Sequence, residues 1–181
     1  GSSLANATQF KKVKNIIESD SARNIVVVSA LGKRNKEDHK ITDLLYLTAA
    51  HLKYSVDALS VFNIIKERYF EVKKELGLDT DLEAEFKEIE SHFSKNIDEE
   101  YLVSRGEYLA AKMMANFLGY KFIDAKDIIC FYSDNDPYVK YEVEKEFADT
   151  ISTEQILLKG AGHINAETGF DTFEDIVNYL Y

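Results

Sequence analysis

Apolar residues recur at helical spacing over most of this chain and bunch into short runs in a few places. Phe10, Val13, Ile16 and Ile17 share one face of a helix predicted over about residues 7–19. Residues 24–30, Asn-Ile-Val-Val-Val-Ser-Ala, form a continuous apolar run rich in β-branched side chains. Such a run predicts a strand buried on both faces, as in parallel sheets. Residues 32–40 are polar and charged and predict a loop.

From Ile41 to about Gly119 the pattern is almost wholly helical. Ile41, Leu44, Leu45, Thr48 and Leu52 make one stripe. Val61, Ile64, Ile65 and Tyr69 belong to a second helix that ends near Gly77, and Leu82, Phe86, Ile89 and Phe93 to a third. A fourth runs from Tyr101 to Leu118, with Gly119 as its C-terminal cap. Gly106 lies inside that helix, where glycine costs about 1 kcal/mol against alanine. Its presence there suggests close approach of a partner or ligand.

The tail changes character. Residues 127–132 and 155–159 predict buried strands, each followed by a loop and then a helix, over 139–149 and 173–180. Strand, helix, strand, helix in this order implies parallel strands joined by a crossover. The whole pattern predicts an α/β fold: a three-layer α/β/α sandwich with a small, mostly parallel sheet and a large helical segment over 41–118. About four strands are expected, at 25–30, 121–124, 127–132 and 155–159.

Composition narrows the function classes. With 45% hydrophobic and 30% charged residues among 181, the chain has material for a sizeable core. Its net charge of -10 argues against nucleic-acid binding, which needs cations to displace counterions. It also argues against anionic membranes, and no stretch is apolar enough to span a bilayer. Cys130 stands alone, so an intrachain disulfide is excluded, and His39, His51 and His92 have no metal-ligand spacing. Neither metal nor cofactor is expected, and a cytoplasmic location is.

Two sets of motifs carry the candidate chemistry. Residues 27–33, Val-Val-Ser-Ala-Leu-Gly-Lys, precede Ile-Thr-Asp-Leu-Leu at 41–45; Val-Ser-Arg-Gly-Glu stands at 103–107 and Phe-Ile-Asp-Ala-Lys-Asp at 122–127. In order and spacing these resemble the signatures of aspartokinases, over roughly residues 1–128. Gly1-Ser2-Ser3 resembles the end of the family's glycine-rich loop, and reads equally as a cloning scar. The resemblance implies that Ser29, Thr42 and Glu107 contact an amino-acid substrate, with weak binding of aspartate or ATP. A carboxylate such as Glu107 can hold an ammonium group, and hydroxyls can hold a carboxylate. Gly106 would then let the ligand approach the helix. The alternative is that Glu107 is a solvated helix residue and Ser29 a satisfied strand end. The family's first strand, its phosphate-facing lysine and its nucleotide-binding half have no counterpart in these motifs.

The second set is Ser-Asp-Asn-Asp-Pro-Tyr-Val at 133–139 and Gly-Ala-Gly-His-Ile-Asn at 160–165. These resemble small α/β serine hydrolases of the retinoblastoma-binding-protein-9 and YdeN type, over roughly residues 129–181. The resemblance implies that Asp136 and His163 are the acid and base of a catalytic triad. No Gly-x-Ser-x-Gly elbow occurs in the sequence. Cys130, the substitute to consider, falls in an apolar strand and reads as a core residue. The expectation is therefore a chimera, engineered or recombined, whose parts share one core and which lacks native catalytic activity. Two alternatives remain open: a residual aspartate- or nucleotide-binding module, and a weak esterase.

Overall fold

The computed structural model describes residues 1–124, 129–151, 154–164, 167 and 169. The chain divides into two compact units, Gly1–Phe122 and Ile123–Tyr181.

The first unit is helical. A 3-10 turn at Ser2–Leu4 leads into α1 (Ala7–Glu18), followed by α2 (Ile41–Lys53), α3 (Ala58–Leu76), α4 (Leu82–Ser91) and α5 (Glu99–Leu118). The helix starts follow capping chemistry. Asn6, Asp57, Asp81 and Asp98 each accept a first-turn backbone N–H that has no intrahelical partner. α3 and α5 stop at Gly77 and Gly119, which take the left-handed conformation that side chains disfavour.

Most of the predicted stripe residues turn inward to one core, whereas Ile16 and Ile64, at the edges of their stripes, are exposed. Phe10 of α1, Ile41 and Leu45 of α2, Phe62 and Tyr69 of α3, Phe86 of α4, and Leu102, Leu109 and Met113 of α5 are all buried. Aromatic edges join three segments: Phe62 meets Phe86 at 5.6 Å and Phe93 at 4.9 Å between ring centroids. Lys14 of α1 donates to the Phe117 carbonyl of α5 at 2.9 Å.

The predicted strand at Ile25–Ala30 is not formed. The segment is extended but pairs with no described strand. Its side chains alternate. Val26 and Val28 pack on the helical core and Ala30 is buried, whereas Ile25 and Val27 are 85% and 92% exposed. An apolar run on both faces predicted two-sided burial, yet the helices of this unit cover one face only. Lys121–Asp124, the second predicted strand, is likewise outside any ladder.

Gly106 has a packing reason, the close approach of a partner that its position in the helix suggested. A Cβ there would lie 2.9 Å from Ala30 Cβ and 3.0 Å from Leu45 Cδ1. The glycine lets α5 press against the extended segment and α2. Tyr69 fastens the same point, its hydroxyl donating to the Gly106 carbonyl at 2.7 Å. Gly106→Ala should gain about 1 kcal/mol of helix propensity but lose more to overpacking, which costs about 1–3 kcal/mol. The expected outcome in urea titration is a net destabilisation of up to about 2 kcal/mol. A more stable variant would show that the contact yields.

The second unit carries the parallel sheet. β1 (Ile129–Ser133) pairs with β2 (Glu154–Leu158) in the register Ile129–Glu154, Phe131–Ile156 and Ser133–Leu158. α6 (Tyr141–Ile151) lies between them in sequence and packs on β1, with Tyr141 5.9 Å from Tyr132. The chain is thus α/β, mostly helical, with a small parallel sheet of two described strands. Residues 127 and 128 of the predicted first tail strand, and the predicted helix over 173–180, lie outside the described residues.

Candidate functional site

In the first unit, Ser29, Thr42 and Glu107 face one cleft of about 540 Å³, together with Gly1, Ser2, Gly32, Lys33 and Lys40. Three separate pieces of chain deliver them. Ser29 comes at the end of the extended segment, one residue before the buried Ala30. Thr42 is the second residue of α2, and the Ile41 N–H donates to the Leu31 carbonyl at 3.2 Å, holding the start of that helix beside the segment. Glu107 follows Gly106 on α5, so the close packing at Gly106 also sets the height of its carboxylate.

The floor of the cleft is backbone. The Gly32 N–H donates to the Gly1 carbonyl at 3.1 Å, and so does the Leu4 N–H at 2.9 Å. A Cβ on Gly32 would fall 2.4–2.5 Å from Gly1 and Ser2 backbone atoms, so no side chain fits there without displacing residues 1–2.

The charges on the walls are of both signs. Lys33 and Lys40 bring ammonium groups and Glu107 a carboxylate. No described hydrogen bond or ion pair engages these three side chains. Two lysines, one carboxylate, the hydroxyls of Ser2, Ser29 and Thr42 and exposed backbone suit a small zwitterion with an extra carboxylate. The motifs pointed to Ser29, Thr42 and Glu107 but passed over Lys33 and Lys40 as site residues. The signal was present in the lysines that bracket the 32–40 loop, yet a charged loop reads first as a solvated one.

In the second unit, Asp136 and His163 stand in the loops after β1 and β2. His163 Nδ1 is 2.8 Å from Asp136 Oδ2. The other carboxylate oxygen accepts the N–H groups of Tyr138 at 2.7 Å and Val139 at 3.0 Å. The Asp136 side chain is 3% exposed and that of His163 46%. Burial pushes the Asp136 carboxyl up, but the hydrogen bonds from His163 and the two backbone amides outweigh it and hold it at about 2. A carboxylate so placed orients the imidazole and fixes its tautomer.

The two loops are tied by their own polar residues. The Gly160 N–H donates to Asp134 at 2.7 Å and the Gly162 N–H to Asn135 at 2.8 Å. The Tyr138 ring meets His163 edge-on, with centroids 5.1 Å apart. Ser133 braces the first loop, donating from a buried hydroxyl to Asn135 at 2.8 Å. Cys130 sits half-buried within β1, opposite Gln155 of β2.

Among the described residues, no group of three or more His, Cys, Asp or Glu is arranged to hold a metal ion. No described helix is long and apolar enough to cross a membrane.

Comparison with known proteins finds two likenesses that overlap along the chain. A family model described as serine hydrolase matches residues 102–181, taking in most of α5 and the second unit. Aspartokinase 3 of Bacillus subtilis (strain 168) is 36% identical over 134 residues, which cover 70% of this chain and 29% of that protein. The structure resembles Clostridium acetobutylicum aspartate kinase with a TM-score of 0.67 at 35% identity. That likeness covers 88% of this chain and 37% of the kinase.

The chain is aspartokinase-like in its N-terminal part and serine-hydrolase-like in its C-terminal part.

A further likeness, to E. coli aspartokinase III in complex with lysine and aspartate, has a TM-score of 0.55 at 17% identity and speaks for the fold alone. It covers 88% of this chain and 40% of that one. The chain therefore spans under a third of the curated aspartokinase and at most two fifths of these solved kinases. The cleft lies in the aspartokinase-like part, and the Asp136–His163 pair in the serine-hydrolase-like part.

Proposed function

We propose that this chain is a recombined or engineered α/β protein whose aspartokinase-like part retains an aspartate-binding cleft, and that it completes neither parent reaction. One observation carries the reading: Ser29, Thr42 and Glu107 meet in one cleft whose other charged groups are Lys33 and Lys40. Glu107 receives the ammonium group of aspartate. Thr42, Ser29 and the two lysines receive its carboxylates, as hydroxyls and ammonium groups do. Calorimetric titration with L-aspartate is expected to show saturable binding that succinate, which lacks the amine, fails to match. Equal binding of succinate would remove the role of Glu107.

Phosphoryl transfer is mostly positioning and charge stabilisation of phosphates. From residue 102 onward the sequence matches a serine hydrolase model, and the chain spans only 29% of the curated aspartokinase. With ATP and aspartate, no acyl phosphate trapped as hydroxamate is expected above background. A natural relative carrying both parts over its full length would sink the recombined origin.

The 2.8 Å contact between His163 and Asp136 favours a second reading, a weak esterase. A base without a nucleophile loses covalent catalysis. Hydrolysis of p-nitrophenyl acetate is expected to stay near background and to be unchanged by His163→Ala. A rate abolished by that substitution would establish the esterase instead.

A further inference from the structure

Arg68 of α3 is 3% exposed, which is rare for a guanidinium unless its donors are all placed. Its Nη1 donates to the His39 carbonyl at 2.7 Å, and its Nη2 donates to the Gly32 carbonyl. These carbonyls stand at the two ends of the 32–40 loop. One planar fork therefore bridges the start and the finish of the loop.

A second anchor sits between them. Asp38 lies 3.5 Å from Arg68 and accepts from Arg34 through its backbone N–H at 2.9 Å and its Nε at 3.0 Å. Arg34 in turn reaches Glu71 of α3 at 2.9 Å. Burial pushes the Asp38 carboxyl up, but the hydrogen bonds from Arg34 and the charge of Arg68 hold it well below the usual carboxylate range. Arg68 itself does not line the cleft, whereas Gly32, Lys33 and Lys40 do.

We propose that Arg68 is the positioning residue of the cleft: by clamping both ends of the 32–40 loop it holds Lys33 and Lys40 where a dicarboxylic amino acid can meet them. The proposal rests on reading the cleft as an aspartate site. A lysine at this position keeps the charge but can reach only one of the two carbonyls. The loop also carries its own reporter, since Lys33, Arg34, Lys36 and Lys40 are trypsin sites.

The test compares the full chain with Arg68→Lys and with Asp38→Asn, which is closer to the surface and easier to tolerate. Cleavage at residues 33–40 is followed by mass spectrometry, and L-aspartate affinity is titrated at a temperature where each variant is fully folded by circular dichroism. The expected result is cleavage at least about ten-fold faster and affinity at least about ten-fold weaker for Arg68→Lys, the fold-change that one lost charge-assisted hydrogen bond carries. Asp38→Asn should move both readouts in the same direction. If Arg68→Lys does not fold, Asp38→Asn decides alone. Unchanged cleavage overturns the proposal. So does faster cleavage with unchanged affinity, because a merely structural arginine alters stability and not the affinity of the folded chain. If the unsubstituted chain does not bind aspartate, the cleft reading falls by itself; cleavage then decides whether Arg68 holds the loop.

Discussion

Phe62→Ala is expected to lower the unfolding free energy by about 3–5 kcal/mol, the cost of emptying a packed aromatic site. Phe62 is fully buried in α3 and touches the edges of Phe86 and Phe93, at the middle of α4 and just after its end. Three segments lose contacts at once, and helices cannot close a cavity of that size without moving each other. Domains of this size are stable by only about 5–15 kcal/mol, so the variant should keep little margin at physiological temperature. The measurement is urea denaturation followed by circular dichroism, with Phe147→Ala as reference. Phe147 lies on α6 and is exposed, so its loss should stay within about 0.5 kcal/mol. A cost below about 1 kcal/mol at Phe62 would mean that the aromatic cluster is not the keystone of this core.

Glu107→Gln is expected to weaken L-aspartate binding by about 10–100-fold, the range for a hydrogen bond to a charged group. The substitution keeps size and shape and removes the one negative charge on the cleft wall. The glutamine can still accept a hydrogen bond from the ammonium group but no longer offsets its charge. No described hydrogen bond or ion pair engages Glu107, so stability should change by less than about 0.5 kcal/mol. Affinity and stability thus separate: Phe62→Ala moves the second and Glu107→Gln the first. Calorimetry with aspartate and succinate on both proteins reads this directly. Undiminished aspartate affinity in Glu107→Gln would remove the carboxylate from the site and with it the assignment of the ammonium group.

Much of the candidate chemistry was legible in local order. Ser29 ends an apolar run, Thr42 opens a helix and Glu107 follows a glycine inside another helix. Asp136 and His163 lie in loops after successive strands, a placement that needs only local strand–helix–strand geometry. Helix spans were legible too, because capping residues such as Asp57 and Asp98 and terminating glycines act within a few residues of the ends they define.

Partnership was decided elsewhere. Residues 25–30 have every local feature of a central strand, and the tertiary structure covers only the Val26, Val28 and Ala30 side. A strand exists through a neighbour, and hydrophobicity along the chain does not say whether one is there. Gly106 carried a local cost whose cause lay 76 residues away in sequence, at Ala30, and in Leu45 of α2. Lys33 and Lys40 read as solvated because their loop is charged. They became cleft residues only once Arg68, on a different helix, drew the ends of that loop together. Periodicity, caps and motif order are short-range properties and belong to the sequence. Which faces are covered, which loops are pinned and which charges share a cleft depend on contacts between distant residues, and only the folded chain brings those together.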